Sequence, residues 1–530
     1  MNNVVLVGFM GSGKSTVGQC LARRMQRPFI DLDNEITAEA GRSIAQIFAD
    51  EGEPGFRERE ATCLRQALKR DYAIIAAGGG APLREDNWRE IRQGNCVVAL
   101  MAEADELARR LNGSNGRPLL QPDAPSAIAR LLPSRISRYL QADLVLKTDG
   151  QDPISVAAAI EDRLPAGGLT RIRIDVPDAV HEVSVGSQLQ SLLAATVARM
   201  NASGPVLIVS DAQVAERHAD LLIAALSDAG VSARLHTVPA GEAAKELPVL
   251  AGIYAALASE GVDREGLLIA LGGGTVGDVG GFAAATWMRG IRYVQVPTTL
   301  LAMVDSSIGG KTAINLPAGK NLAGAVHQPA AIFCDLDYLA TLPAEDYRAS
   351  LAELIKAALI ADRSFVRWLW TNMAAVLRRE PSTVGEAVSR AIRIKAAVVA
   401  RDPRETADRA ILNYGHTVGH ALERATGFGR LRHGEAVAWG MEVAAQISRI
   451  TGRCSPEVAW VQHQLLQAAG LLADRPVVSR TALMEALRHD KKSRSGEPRW
   501  VLLRYLGQVD YGQAVDASVV STALSEVLGI

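Results

Sequence analysis

The sequence predicts an α/β chain built in three parts, and three observations carry that expectation. A short apolar run at residues 3–8, NVVLVG, delivers a glycine-rich loop that hands over to a helical pattern. A second apolar run opens the stretch Leu267 to Lys320 and delivers three consecutive glycines. After about Asp335 the strand signals fade and Ala/Leu/Arg-rich helical periodicity takes over. Strand, glycine turn and helix in that order mark phosphate- and dinucleotide-binding folds. The expected architecture is a P-loop domain with a parallel sheet over 1–165, a linker at 166–172, a Rossmann-like α/β domain over 173–335 and a mainly helical domain over 336–530.

Composition narrows the partners. The 530 residues carry 57 Lys and Arg against 58 Asp and Glu, a formal charge of −1, so no broad field of either sign draws nucleic acid or an anionic membrane surface. No apolar run reaches the roughly 20 residues that span a bilayer, and the first residues enter a strand pattern without a signal-peptide layout, which points to the cytoplasm. The five cysteines are scattered with no CxxC pair, so neither disulfides nor a cysteine-based zinc site is expected.

In the first part, Gly8 to Thr16 reads GFMGSGKST, the GxxxxGK[ST] loop in its required place between strand and helix. The backbone N–H groups of Gly11, Ser12, Gly13, Lys14, Ser15 and Thr16 would cradle ATP phosphates. Lys14 would reach the β and γ oxygens, and Ser15 would hold Mg²⁺. Asp31 and Asp33 follow the next apolar residues. One carboxylate, Asp31 in this reading, can support the metal while Asp33 accepts a hydrogen bond from the attacking hydroxyl; a helix N-cap and turn explain the same pair. GFREREA sets Arg57 and Glu60 at helical spacing, by itself a surface ion pair of little worth. DYAIIAAGGG then ends in Gly78, Gly79 and Gly80, where close contact with a small ligand is possible.

Loop, DLD, FRxxE, GGG, RPLL at Arg117 to Leu120 and RxxxY at Arg135 to Tyr139 recur in the order seen in shikimate kinases. Residues 1 to about 160 therefore resemble that family. The resemblance implies ATP-dependent phosphorylation of shikimate, with Asp33, Arg57, Gly79 and Arg135 holding the substrate and both arginines pairing with its carboxylate. It also implies that Arg117, in the glycine-rich segment 112–118, closes over ATP as part of a lid that excludes water.

Around Pro165 the helical pattern stops, and RIRIDVPDAVHEVSV begins with period-two alternation. Strands and helices then alternate, which argues for a largely parallel sheet with helices on both faces. Asp211, at a strand end, is placed to meet a nucleotide ribose. Gly272, Gly273, Gly274 and Gly277 allow close approach of a pyrophosphate, and a helix beginning near Thr275 would aim its N–H groups at it; a plain tight turn uses glycines in the same way. Asp278, Arg289, Asp305, Lys311 and Lys320 recur among small residues. Three cations and two carboxylates beside a nucleotide loop suit a phosphorylated, hydroxyl-rich substrate, although a solvated charged loop has the same composition.

The helical part holds Glu353 and Lys356 in AELIKAALI, His416 and His420 at i,i+4 in LNYGHTVGHALE, and His433 in RHGEAVAWG. Two imidazoles and a carboxylate without cysteine suit a catalytic zinc that keeps one position open. The residue after His416 is Thr417, so the HExxH pattern of zincin proteases is absent.

These motifs, with GEAAK, VPTTLLAMVDSSIGGKTAIN, GKN and HDKKS, resemble 3-dehydroquinate synthases over about 180–510. The resemblance implies zinc or cobalt on Glu353, His416 and His433. It places Glu242, Lys245, Gly273, Gly274, Asp278, Thr298, Thr299, Lys311 and Lys320 around NAD. It assigns Arg289, Asp305, Lys311, Lys320, Asn321, Lys356, Lys395, Arg409, Asn413, His420 and Lys491 to the substrate pocket, with Lys311, Lys356, Arg409 and His420 in the chemistry. The implied reaction oxidises a hydroxyl against NAD⁺, expels phosphate, returns the hydride and closes a carbocycle. Together the two resemblances imply a bifunctional enzyme of aromatic biosynthesis, expected to be a homodimer through its second half. A related sugar-phosphate cyclase for the second half and a nucleotide-sensing module without turnover for the first are the alternatives.

Overall fold

The computed structural model describes residues 3–112, 123–161, 163–164, 169–176, 179–200, 204–402, 408–427, 430–488 and 498–530. Contacts divide the chain into two units. The first comprises Met1–Arg171, Gly186–Ser203 and Leu221–Ala233, and the second comprises Ile172–Val185, Gly204–Asp220 and Arg234–Ile530.

The first unit is built on a five-stranded sheet in the order Phe29–Asp31, Ile74–Ala76, Val4–Val7, Cys96–Met101, Leu144–Lys147, with every adjacent pair parallel. Side chains alternate across it. Val4 and Leu6 pack with Val17 and Leu21 of helix Lys14–Arg24 and with Val156 and Ile160 of helix Pro153–Glu161. Val5 and Val7 enter the opposite layer with Phe56, Leu64, Trp88 and Ile91. Burial on both faces explains why these strands read as unbroken apolar runs. Strand Val4–Val7 has later strands on both sides, so the loop leaving its carboxyl end opens at the switch point of the sheet, where such folds bind ligands.

Residues after 168 complete this unit. Asp143, 1 % exposed, accepts the N–H of Val97 at 2.6 Å and forms an ion pair with Arg171, whose side chain is 4 % exposed. Arg171 Nη1 also donates to the Asn95 carbonyl, and Arg199 Nη1 to the Ala142 carbonyl, each at 2.6 Å. Regular structure resumes with strand Thr170–Val176, inside the interval expected as a linker; residues 165–168 lie outside the described set.

A seven-stranded sheet, almost all of whose residues belong to the second unit, runs in the order Thr170–Val176, Ala179–Gly186, Ala331–Asp335, Arg292–Pro297, Leu267–Gly272, Val206–Asp211, Ala233–Val238. The neighbours from Ala331–Asp335 to Val206–Asp211 are parallel, as expected from the βα rhythm. Part of the charged stretch is not a loop: Lys311–Leu316 and Gly319–Val326 form an antiparallel hairpin. The region after Asp335 is mainly helical, but Trp500–Tyr505 and Gln508–Gln513 form a second hairpin, one of whose strands is the apolar WVLLRY run. Trp500 and Leu502 bury beside Val443 and Leu524, so this short strand is stabilised by tertiary packing rather than by repetition in the sequence.

Three helices of this part approach to backbone contact: Ala344–Ala361, His416–Thr426 and His433–Ile450. A Cβ on Gly440 would lie 1.9 Å from the Gly415 carbonyl oxygen, and one on Gly434 would lie 1.8 Å from that of Ala349. Only glycine permits these crossings, and each helix brings one member of the Glu353, His416, His433 set. Among the described residues no helix is long and apolar enough to cross a membrane.

Two candidate active sites

In the first unit a cavity of about 970 Å³ is lined by Gly11 to Thr16, Asp31, Asp33, Arg57, Glu60, Gly78 to Gly80, Arg110 and Arg135. Helix Lys14–Arg24 starts behind Gly13, which has φ 96° and contributes no side-chain cap. Its first N–H groups are therefore available to an anion. Lys14 Nζ donates to the carbonyls of Gly8 at 2.9 Å and Phe9 at 3.0 Å, which folds the ammonium over the loop. Asp31 accepts the Asp33 N–H at 3.1 Å and caps helix Leu32–Ala40, so the capping geometry weighed from the sequence is present while both carboxylates still line the cavity.

Arg57 is anything but a surface ion pair. Its Nη1 donates to Glu60 at 2.7 Å, and Glu60 is 1 % exposed. Burial pushes the Glu60 carboxyl up, partly offset by Arg57. The triple glycine serves this pair: a Cβ on Gly78 would sit 2.4 Å from Glu60 Oε1, and one on Gly80 would sit 2.4 Å from Arg57 Nη1. The Gly79 carbonyl accepts the buried Tyr139 hydroxyl at 2.6 Å, and Arg135 lies over the Phe9 ring at 5.3 Å. The RxxxY element thus places Arg135 in the cavity through Tyr139. Sequence reasoning missed Arg110, which donates to the Thr148 carbonyl at 2.6 Å and to Glu106 at 2.7 Å. Its only sequence signal was an i,i+4 charge pair, which resembles any helix surface. Arg117 and its lid segment lie outside the described residues.

In the second unit a cavity of about 1020 Å³ is lined by Glu242, Lys245, Gly273, Gly274, Asp278, Thr299, Asp305, Lys320, Asn321, His420 and His433. Helix Gly274–Thr286 opens there without a side-chain cap. Lys245 is buried against Asp278 at 2.5 Å and also donates to the Asn321 carboxamide. Burial raises the Asp278 carboxyl even so. Lys395 Nζ pairs with the Asp305 carboxylate and donates to the Asp305 carbonyl at 2.5 Å. Burial opposes the Asp305 charge, but Lys395 and then Lys356 outweigh it and hold this carboxyl well below its ordinary range.

Behind the cavity wall, Glu353 is 3 % exposed and pairs with Lys356 through Oε2. Its other oxygen, Oε1, is buried without a hydrogen-bond partner among the described residues. It faces His416 Nε2 at 3.6 Å and His433 Nε2 at 3.9 Å. His416 Nδ1 is tied to the Tyr414 carbonyl at 3.1 Å. Burial, with Lys356 next, lowers the His416 pKa far below the ordinary value, which keeps the imidazole neutral and able to ligate. One carboxylate oxygen and two Nε2 atoms within 4.8 Å of one another, one of them a buried orphan, fit a divalent metal.

Several expected residues stand elsewhere. Asp211 accepts the N–H groups of Gln213 at 3.0 Å and Val214 at 3.1 Å and does not line the cavity, because the strand end it occupies is also a helix start. Arg289 is exposed on the turn Trp287–Arg289 at φ 68°, and Lys311 is exposed at the start of its hairpin; neither lines the cavity. Thr298 is buried beside the lining, and Arg409 is buried with its N–H on Asp402 at 3.0 Å. Asn413 ends the same turn, Asp408–Asn413. Lys491 lies outside the described residues. Glu423, Arg424 and Arg432 line the cavity although the sequence alone gave no reason to choose them.

Comparison with known proteins matches this division. The shikimate kinase family profile covers residues 10–165, and the N-terminal and C-terminal profiles of 3-dehydroquinate synthase cover 235–349 and 350–493. The 3-dehydroquinate synthase of Syntrophotalea carbinolica is 43 % identical over 339 residues, 64 % of this chain and 94 % of that protein. That of Caulobacter vibrioides is 46 % identical over 327 residues, 61 % of this chain and 88 % of that protein. A solved 2-epi-5-epi-valiolone synthase of Streptomyces hygroscopicus with NAD⁺ and Zn²⁺ bound is 27 % identical, with a TM-score of 0.61 over 67 % of this chain and 98 % of that one. A solved 2-deoxy-scyllo-inosose synthase complexed with carbaglucose-6-phosphate, NAD⁺ and Co²⁺ is 26 % identical, with a TM-score of 0.61 over 68 % of this chain and 100 % of that one. The chain belongs to the shikimate kinase family in its N-terminal part and to the 3-dehydroquinate synthase family in its C-terminal part.

Proposed function

We propose that this chain carries two reactions of the shikimate pathway. One is ATP-dependent phosphorylation of shikimate to shikimate 3-phosphate. The other is cyclisation of 3-deoxy-D-arabino-heptulosonate 7-phosphate to 3-dehydroquinate with release of phosphate. The observation that carries the second assignment is the buried, unpartnered Glu353 Oε1 opposite two Nε2 atoms, beside a cavity that also holds the uncapped helix at Gly274.

In the kinase half the loop N–H groups and Lys14 hold the ATP phosphates, with Ser15 and Asp31 as the Mg²⁺ residues. Asp33 receives the proton of the attacking hydroxyl. Arg57, oriented by Glu60, and Arg135 bind the shikimate carboxylate and set its distance from the phosphate loop.

In the synthase half, Glu353, His416 and His433 would hold Zn²⁺ or Co²⁺, and Gly273, Gly274, Lys245 and Asp278 would hold NAD. When bound, these two groups supply Lewis acidity and a hydride acceptor. Lys356 orients Glu353, Lys395 holds Asp305 on the cavity wall, and Lys320, which lines the cavity, offers a cationic contact to the phosphorylated substrate. His420, on the cavity wall, takes and returns a proton at a ring nitrogen. Identity of 43–46 % to 3-dehydroquinate synthases, against 26–27 % to the two cyclitol-forming synthases, favours the heptulosonate substrate over the other cyclase chemistry. A homodimer through the synthase half and a cytoplasmic location belong to the same reading.

Two assays on the purified chain test it. One follows shikimate-dependent consumption of ATP, and the other follows phosphate release with formation of 3-dehydroquinate. Activity in only one assay removes the other half from the proposal, and cyclisation of a hexose phosphate in place of the heptulosonate selects the rival cyclase. Light scattering during gel filtration reads the dimer, for which a mass of one chain is the opposing result.

A further inference from the structure

His416, His420 and Glu423 lie on one face of helix His416–Thr426, at spacings of one and two turns. His433 opens the facing helix His433–Ile450. Its two ring nitrogens look in different directions. Nε2 faces Glu353 Oε1 at 3.9 Å, whereas Nδ1 lies 3.4 Å from one oxygen of Glu423 and 3.5 Å from the other. The neighbouring His416 has the same division of labour, with Nδ1 on the Tyr414 carbonyl and Nε2 toward Glu353.

We propose that Glu423 is a positioning residue for the metal centre: its carboxylate accepts the Nδ1–H of His433, which fixes the tautomer and the ring so that Nε2 is presented beside Glu353 Oε1 and His416 Nε2. The inference rests on the metal reading above and adds a residue to it. A ligating imidazole whose other nitrogen is held by a carboxylate is both pre-oriented and more basic. The arrangement also links two helices, because the residue that orients His433 is carried by the helix that supplies His416. Glu423 belongs to a second grouping with His420 and His433 that could itself take a cation. A cation held there through His433 Nδ1 would exclude the proton that Nδ1 gives to Glu423. The partly exposed grouping also lacks the buried orphan oxygen that marks the first.

The test is zinc retention in the full chain, read by transfer to a chromophoric chelator, with zinc per chain counted for wild type, Glu423→Ala and Glu423→Gln. The expected result is one zinc per wild-type chain, released about 10- to 100-fold faster from Glu423→Ala. Glu423→Gln, whose amide oxygen accepts the same hydrogen without charge, should release it about fivefold faster. If Glu423→Ala does not fold, the Gln variant decides alone. Release from a folded variant at the wild-type rate overturns the inference. So does a wild type with two zincs that falls to one on substitution, since Glu423 would then be a ligand. A wild type that retains no zinc at all overturns the metal reading itself, a distinguishable outcome.

Discussion

At the scale of single residues, the cation of the phosphate loop and a buried histidine make separable predictions. Lys14 Nζ lies on the carbonyls of Gly8 and Phe9, at the uncapped start of helix Lys14–Arg24. Lys14→Ala should lower phosphoryl transfer by about a hundred- to a thousandfold, the usual effect of deleting one pre-placed donor, and leave cyclisation unchanged. Loss of both activities would instead show that the substitution unfolds the chain. His181 is 3 % exposed, and neither ring nitrogen has a hydrogen-bond partner among the described residues. Burial holds its pKa down at about 4. An unfolded histidine titrates near 6.5, so below that pH the unfolded chain binds a proton that the folded chain refuses, and stability falls as pH drops from about 6.5 toward 4. The expected contribution between pH 7 and pH 5 is a loss of about 2 kcal/mol. His181→Phe should show a shallower loss than wild type in urea melts of the synthase part, and equal slopes would refute the assignment.

At the scale of elements, the convergence of Glu353, His416 and His433 depends on helix crossings that only glycine permits. A Cβ at Gly440 meets the Gly415 carbonyl at 1.9 Å, so Gly440→Ala must push helix His433–Ile450 away from the start of His416–Thr426. That shift separates His433 from His416 without touching either side chain. The substitution should destabilise the synthase part by about 1–3 kcal/mol through overpacking and weaken zinc retention, while the kinase activity stays at its wild-type value. Zinc retention and melting both unchanged would mean that the helices yield elsewhere. HGEAVAWGM lies in the region that the sequence reads as helical, but nothing local distinguished its glycines from helix-weakening ones, since the atoms they accommodate, the carbonyls of Gly415 and Ala349, lie outside the helix.

At the scale of the molecule, the first unit extends past the Pro/Gly boundary read from the sequence. Asp143 is enclosed with Arg171, and Ala142 receives Arg199. A kinase fragment ending at residue 166 keeps all of its described site residues but leaves the Asp143 carboxylate buried without its cation. Losing one partner of such a pair costs about 3–5 kcal/mol. The fragment 1–166 should therefore unfold at markedly lower denaturant than 1–203, and Asp143→Asn should recover part of the difference within 1–166. Equal melts for the two fragments would show that the pair contributes nothing.

The sequence by itself determined the fold class, the two glycine-rich turns between strand and helix and membership of both families, and the family resemblance named Glu353, His416 and His433 as the candidate ligands. These follow from local rules: a glycine loop between strand and helix is contiguous, and the Glu353, His416 and His433 motifs carry their chemistry in a few residues. What only the tertiary structure decided was which charges share a cavity and which are occupied elsewhere. Asp211 had the right strand end but is a helix cap, and Arg57 had the spacing of a surface pair but is locked to a buried Glu60. Glu423 stood inside a quoted motif with no visible role, because its partner His433 belongs to the next helix. Motif spacing encodes what a residue type can do, whereas burial and long-range partners, set when distant helices and strands pack, determine what it does.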